Sequence, residues 1–185
     1  ILKKNYYTIE GKEINNYKLT PELLDESLKK NNGYGSLLIL NNPTNPTGAV
    51  YKSDELINLT KIFNKYDLTV FSDEIYFHTT NFKLTSLSSL YSKVIIGSSL
   101  SKDWASGGWR FGWMVLSKSL KELHKEMIRN GSIMYSCPTH FFNHVAIEAL
   151  SNSENESHFS SQSKFFKDIA QKIESELEDT KIIHS

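Results

Sequence analysis

The chain has 185 residues, of which 39% are hydrophobic and 23% are charged, and this composition excludes a disordered or fibrous protein. Its 21 basic and 21 acidic residues balance, so no overall charge attracts nucleic acid or an anionic membrane surface. The single cysteine, Cys137, cannot form an internal disulfide, and no apolar run approaches the roughly 20 residues that cross a bilayer. We therefore expect a cytoplasmic protein with no nucleic-acid or membrane partner.

Predicted helices and strands alternate along the chain. Thr20 and Pro21 are typical of an N-cap and a first helical residue. The run SLLIL at 36–40 is apolar throughout, as in a strand buried on both faces of a parallel sheet. The predicted elements are strand 6–9, a helix from 21 ended by Asn31-Asn32-Gly33, strand 36–40, a helix from Ser53 to Tyr66, strands 68–71, 94–96 and 110–115, a helix capped by Ser117 or Ser119 and stopped by Asn130-Gly131, and helices 138–150 and 159–177.

This alternation predicts βαβ units and an α/β fold with a mostly parallel sheet. A polar break at 151–157 separates the last helix from the rest. In open parallel sheets, ligands bind beyond the carboxyl ends of the strands. We therefore expect ligand-binding residues at three predicted strand ends.

The first two strand ends carry amide, acidic and phenolic side chains. The sequence NNPTNPTG at 41–48 predicts a rigid turn that carries amide side chains, and taken alone it is more often simply a turn. In SDEIYF at 72–77, Asp73 can face a cationic ligand atom while Tyr76 donates to an oxygen of the same ligand. An acid and a tyrosine at the rim of a loop would give the same pattern.

The third strand end, SSLSKDWASGGWRFGW at 98–113, combines hydroxyls, a lysine and an arginine. Ser99, Ser101, Lys102 and Arg110 suit a phosphate group together with a reactive amine. A solvated loop explains the lysine but not the residues around it.

In order, the segments N-P-T-N-P-T-G, D-E-x-Y and S-x-S-K-x-x-x-x-x-G-W-R resemble the signature of fold-type I pyridoxal-phosphate enzymes, and more narrowly of class I and II aminotransferases. The resemblance covers residues 6 to about 150. It implies a three-layer α/β/α fold, with a partial cofactor-binding large domain at 1–150 and the start of a small C-terminal domain at 151–185. It also implies pyridoxal 5'-phosphate as cofactor, amino acids and 2-oxo acids as substrates, and a homodimer.

The resemblance assigns four residues to the cofactor ring. Lys102 matches the lysine that forms a Schiff base with the cofactor and carries a proton in transamination. Asp73 matches the carboxylate that pairs with the protonated pyridine nitrogen. Tyr76 and Asn45 match the two groups that hydrogen-bond the phenolic oxygen.

The resemblance also assigns the phosphate ligands. Ser99 and Arg110 match them, and Ser101 is a supporting hydroxyl. The Asn-Pro turn of the family implies a cis peptide bond at Asn45–Pro46.

Other features of the family have no counterpart in the sequence. A glycine-rich phosphate turn and a ring-stacking aromatic residue would precede position 1, and an arginine for the substrate carboxylate would follow the last residue. The chain also starts without methionine. We therefore expect it to be a piece of a longer enzyme that is inactive in isolation.

Three alternatives remain open from the sequence. The same cofactor residues serve a lyase or a synthase of this fold, and a non-catalytic regulatory domain that binds pyridoxal phosphate would keep them too. His140 and His144 have a spacing that can bind metal on a helix, but no third ligand accompanies them. We expect no metal site.

Overall fold

The computed structural model describes residues 5–80, 82–134, 136 and 140–178. They form two compact units. The first is built from the described residues of 1–75, 84–98 and 113–136, and the second from those of 76–83, 99–112 and 137–185.

Four strands form one sheet in the order β1-β2-β3-β4. β1 is parallel to β2 and β2 is parallel to β3. The Ser117 amide donates to the Val94 carbonyl at 3.0 Å, and the Leu100 amide donates to the Phe111 carbonyl at 3.2 Å, so β4 runs antiparallel to β3. The prediction of a mostly parallel α/β sheet is confirmed. The strands are β1 (Leu37–Asn41), β2 (Thr69–Asp73), β3 (Val94–Ser99) and β4 (Gly112–Leu116).

Local sequence signals explain most helix boundaries. The Thr20 hydroxyl accepts a hydrogen bond from the Leu23 amide at 3.3 Å, and Pro21 occupies the first helical position. At the other end of this helix, Asn32 rather than Gly33 takes the left-handed conformation, with φ of 51°. The helices are α1 (Pro21–Lys30), α2 (Ser53–Lys65), α3 (Leu100–Asp103), α4 (Lys121–Met134), α5 (His140–Ser151) and α6 (Asn155–Leu177).

The core of the first unit lies between one face of the sheet and helices α1 and α2. Phe63 is fully buried and meets the ring of Tyr91 edge-on, with 5.3 Å between ring centroids. The Tyr91 hydroxyl donates to the Leu68 carbonyl at 2.6 Å, so its polar end is satisfied. The buried core residues are Leu24, Leu28, Leu40, Tyr51, Leu56, Leu59, Phe63, Leu68, Val70, Leu87, Tyr91 and Val94.

Two strand predictions were wrong. Residues 6–9 form no strand. β1 is buried on one face only, since Leu37 is 59% exposed and Ile39 is 69% exposed while Leu40 is buried. Side chains alternate along a strand, and only the face toward α1 and α2 is covered.

Two helix boundaries also differ from the prediction. α4 continues through Asn130-Gly131 to Met134, because a glycine in an exposed helix costs only about 1 kcal/mol. α6 begins at Asn155, four residues before the predicted start. The predicted start of the preceding helix at Pro138 lies outside the described residues, and α5 is described from His140.

Candidate cofactor site

In the first unit, the Asn41 side chain links Asn45 to the end of β2. Its Nδ2 donates to the Asp73 carbonyl at 3.3 Å, and its Oδ1 accepts from the Asn45 amide at 2.6 Å. The Asn45–Pro46 bond is cis, as predicted, and so is the Asn42–Pro43 bond. The turn that carries Asn45 is thus bonded directly to the strand end that carries Asp73.

Asn42 anchors the same turn from the inside. It is 3% exposed, and its amide donates to the Asp73 carbonyl at 3.0 Å. Its Oδ1 accepts from the Tyr51 amide at 3.0 Å. The sequence predicts only a turn for Asn41 and Asn42. In the structure, both residues hydrogen-bond the segments that carry Asn45 and Asp73.

Two successive carboxylates at the end of β2 have different surroundings. Asp73 is half-buried, and its Oδ1 accepts from the Ile75 amide at 3.2 Å. Glu74 is 6% exposed, and its burial raises the pKa of the carboxyl. Because successive side chains of an extended chain point to opposite faces, the Glu74 side chain is buried in the core while the Asp73 side chain lies at the edge of the core.

The second unit brings Lys102 and Tyr76 together. The Lys102 Nζ lies 5.4 Å from the centroid of the Tyr76 ring, within the range of a cation–π contact. Lys102 lies in α3, which Ser99 caps by accepting from the Ser101 amide at 3.1 Å. This bond uses a lone pair of the Ser99 oxygen and leaves its O–H to donate.

Arg110 has a left-handed backbone, with φ of 54°, and its side chain is exposed. Its Nη1 donates to the Gly107 carbonyl at 2.8 Å. That bond engages one of the five N–H donors of the guanidinium group. The other N–H donors of the guanidinium group suit recognition of an anion, since arginine presents its donors as a planar fork.

A cavity of about 460 Å³ adjoins the Lys102 side chain. This volume falls in the range of small-molecule sites. Helix α6 contributes Gln162 and Phe166 to its wall, and no motif in the sequence marks either residue. The cavity is lined by Tyr76, Thr79, Ser101, Lys102, Ala105, Gln162 and Phe166.

Asp103, directly after Lys102, is a buried acid that sequence reasoning did not select. It is 2% exposed. Burial raises the pKa of this carboxyl to about 7. The only sequence feature that marks Asp103 is its position directly after Lys102, since an acid beside a candidate reactive lysine is unusual.

Neither a membrane span nor a metal site is found in the described part of the chain. No helix there is long and apolar enough to cross a bilayer. No group of three or more His, Cys, Asp or Glu side chains among the described residues is placed to hold a metal ion. His140 and His144 bring their Nε2 atoms to 3.0 Å on an exposed part of α5, as a pair.

The sequence model of the family described as "Aminotransferase class I and II" matches residues 3–185. The chain belongs to the class I and II aminotransferases. A probable aspartate/prephenate aminotransferase of Rickettsia conorii is 36% identical over 148 residues, which are 76% of this chain and 35% of that protein. An aspartate aminotransferase of Geobacillus stearothermophilus is 31% identical over 152 residues, which are 79% of this chain and 37% of that protein. The chain therefore spans about a third of the length of these aminotransferase relatives.

A solved aminotransferase structure has the same fold as this chain. The crystal structure of an aromatic aminotransferase from Pyrococcus horikoshii OT3 superposes with a TM-score of 0.81 at 24% identity. The match covers 92% of this chain and 46% of that one. The likeness confirms the aminotransferase α/β fold that the three motifs implied.

Proposed function

We propose that the intact protein containing this chain is a pyridoxal-phosphate-dependent aminotransferase. It would move an amino group between an amino acid and a 2-oxo acid. The observation that carries the proposal is the Lys102 amine beside Tyr76 at a cavity of about 460 Å³, in a chain of the aminotransferase family.

The residues present suit the cofactor chemically. When bound, pyridoxal phosphate supplies an electron sink for a carbanion at the substrate Cα. We propose that Lys102 binds it covalently through Nζ. Asp73 would hold the proton on the pyridine nitrogen, and Tyr76 and Asn45 would donate to the phenolic oxygen.

The phosphate group would be held by the second unit. The Ser99 O–H and the guanidinium of Arg110 are both donors, and both suit the oxygens of an anion. Ser101 lines the Lys102 cavity and supplies a further hydroxyl. Lys102, once released from the cofactor, would carry the proton removed from the substrate Cα.

The wider organisation is also a proposal. Residues 1–150 would belong to the cofactor-binding large domain and residues 151–185 to the start of the small C-terminal domain. The intact enzyme would be a cytoplasmic homodimer with small-molecule substrates and no nucleic-acid or membrane partner. The matched relatives are named for aspartate, prephenate and aromatic amino acids, so aspartate and the aromatic amino acids are the first amino donors to assay, and prephenate is a 2-oxo acid to assay as acceptor.

Product analysis with the intact protein tests the reaction type. With aspartate or an aromatic amino acid and 2-oxoglutarate, we expect the new 2-oxo acid and glutamate in equal amounts, with no release of ammonia. Release of ammonia or of a side-chain fragment in place of glutamate would identify a lyase and reject the transaminase proposal. A Lys102→Ala variant is the matched control and should form neither product.

A further inference from the structure

The side chain of Gln162, in helix α6, bonds the backbone of the lysine turn, which comprises residues 100–105. Its Nε2 donates to the Lys102 carbonyl at 3.1 Å. The same side chain lines the cavity of about 460 Å³ that Lys102 also lines. Gln162 therefore holds the backbone of the candidate nucleophile at the wall of the cavity.

The need to satisfy polar groups does not account for this bond. The Lys102 carbonyl already accepts from the Ala105 amide at 3.2 Å. The Gln162 Oε1 is buried and accepts no hydrogen bond from any residue that the structure describes. A buried amide oxygen without a donor costs stability. The presence of Gln162 is therefore better explained by what its Nε2 holds in place than by stability.

The backbone that Gln162 holds belongs to a very short helix. α3 spans only the four residues Leu100–Asp103. A single turn has terminal carbonyls without intrahelical partners and little stability of its own, so tertiary contacts must fix it. A second side chain of α6, His158, places its Nε2 2.8 Å from the Asp103 carbonyl. The position of this backbone sets where the Lys102 side chain begins, and its Nζ ends 5.4 Å from the centroid of the Tyr76 ring.

Other contacts of α6 do not involve Gln162. The Phe159 ring stacks on the His78 ring, with centroids 4.2 Å apart and an interplanar angle of 15°. The Ser163 hydroxyl donates to the Thr80 carbonyl at 2.7 Å. Because these contacts dock the helix, removal of the Gln162 amide takes away one bond to the lysine turn and leaves α6 in place.

We propose that Gln162 is a positioning residue, whose amide fixes the Lys102 backbone at the cavity wall and so keeps the Lys102 amine beside the Tyr76 ring. The relevance of this placement to catalysis rests on the proposed function. The placement itself is a property of the protein and can be measured without cofactor.

Three variants of the intact protein separate this bond from the docking of α6. Gln162→Met keeps a side chain of similar length and removes the donor, and Gln162→Ala replaces it if the methionine variant does not fold. Ser163→Ala is the matched control, because it removes a bond from the next residue of the same helix to a carbonyl outside the lysine turn. Tyr76→Leu removes the ring and sets the signal expected for an uncovered amine.

The readout is the reactivity of the Lys102 amine. Protein freed of carbonyl cofactors by dialysis against hydroxylamine and then buffer is methylated with formaldehyde and cyanoborohydride. The rates at Lys102 and at Lys118, an exposed lysine of the first unit, are followed by mass spectrometry of chymotryptic peptides. The ratio of the two rates cancels changes in reagent and pH. Urea unfolding midpoints are recorded in parallel.

Methylation consumes the uncharged amine, whereas a contact with an aromatic ring favours the charged one. We therefore expect the Lys102-to-Lys118 ratio to rise about threefold in Gln162→Met, the scale of a cation–π contact at a partly exposed site. Tyr76→Leu should give a similar rise. Ser163→Ala should keep the wild-type ratio, even where its unfolding midpoint is lower.

Three results would overturn the proposal. An unchanged ratio in Gln162→Met, whatever its unfolding midpoint, would make Gln162 a structural residue only. An equal rise in Ser163→Ala would show that the docking of α6 as a whole places the amine. No rise in Tyr76→Leu would show that the amine does not lie against the ring. A wild-type protein that never binds pyridoxal phosphate would reject the proposed function and leave this ratio test intact.

Discussion

The amine of Lys102 lies 5.4 Å from the centre of the Tyr76 ring, although the two residues are 26 positions apart in the sequence. The contact pairs the candidate nucleophile with a candidate ligand of the same cofactor. It also joins two of the three motifs on which the family resemblance was based. The candidate nucleophile and one candidate ligand therefore lie side by side in the second unit.

The Tyr76 hydroxyl can be tested apart from the Tyr76 ring. Tyr76→Phe keeps the ring beside Lys102 and removes one donor to the phenolic oxygen of the cofactor. We expect the affinity for pyridoxal phosphate to fall about tenfold, the scale of one lost hydrogen bond to a charged group. Titration of the visible absorbance band measures this. Tyr34→Phe, at an exposed position, is the control, and equal affinity in both variants would remove Tyr76 from the site.

Glu74 should matter for folding rather than for cofactor chemistry. Its Oε1 accepts from the Ser72 hydroxyl at 3.0 Å, the Ser86 hydroxyl at 3.1 Å and the Leu87 amide at 3.1 Å. Glu74→Ala strands these buried donors, so the free energy of unfolding should fall by roughly 2–4 kcal/mol. Glu74→Gln, which keeps an acceptor, should lose less. Urea unfolding measures both, and equal losses would contradict the hydrogen-bond explanation.

Asp25 should make the first unit sensitive to acid. Lys29, Lys65 and the Tyr66 hydroxyl, which donates at 2.9 Å, hold the pKa of the Asp25 carboxyl well below its usual range. A lowered folded-state pKa adds stability above the ordinary value of 3.8, and this stability is lost as pH falls below it. Asp25→Asn should lower the urea midpoint at pH 7 and should reduce the further loss between about pH 5 and pH 3. If the urea midpoints of Asp25→Asn and wild type fell in parallel as the pH was lowered, the interactions of Asp25 would not contribute to the sensitivity to acid.

The contribution of Asp103 to stability should depend on pH in the opposite direction to that of Asp25. Its carboxyl pKa is raised by burial to about 7, so the folded state binds a proton that the unfolded state releases above 3.8. Its contribution to stability is full at low pH and is lost as pH rises toward about 7. The free energy of unfolding of wild type relative to Asp103→Asn should therefore decrease by on the order of 2–4 kcal/mol between about pH 4 and about pH 8.

The comparison with Asp103→Asn is needed because other groups titrate near Asp103. Partial burial lowers the pKa of His78, and His158 lies against the Asp103 carbonyl. Both histidines are present in both proteins, so their contributions largely cancel in the difference. Asp168→Asn, at an exposed position of α6, should show no such dependence. A difference between wild type and Asp103→Asn that does not vary with pH would contradict the assignment.

The sequence located the turns that carry the candidate residues better than it predicted the surroundings of those turns. Strand ends are marked by short, chemically unusual segments, so the turn of Asn45, the acid Asp73 and the lysine turn were all found on strand ends or beside them. The exposure of Leu37 and Ile39 was missed, because an apolar run does not say how many faces of a strand are covered. Asp103 was missed since its burial depends on the tertiary fold, and Gln162 was missed since its bond to the Lys102 carbonyl joins residues 60 positions apart along the chain.

Lys102 is proposed to hold pyridoxal phosphate covalently, and labelling of the lysine tests this directly. The intact protein is incubated with the cofactor, reduced with borohydride and digested, and the modified peptide is identified by mass spectrometry. We expect a visible absorbance band before reduction and a phosphopyridoxyl group on Lys102 after it, both absent in Lys102→Ala and retained in Lys167→Ala. A band that survives Lys102→Ala, or label on a different lysine, would contradict it.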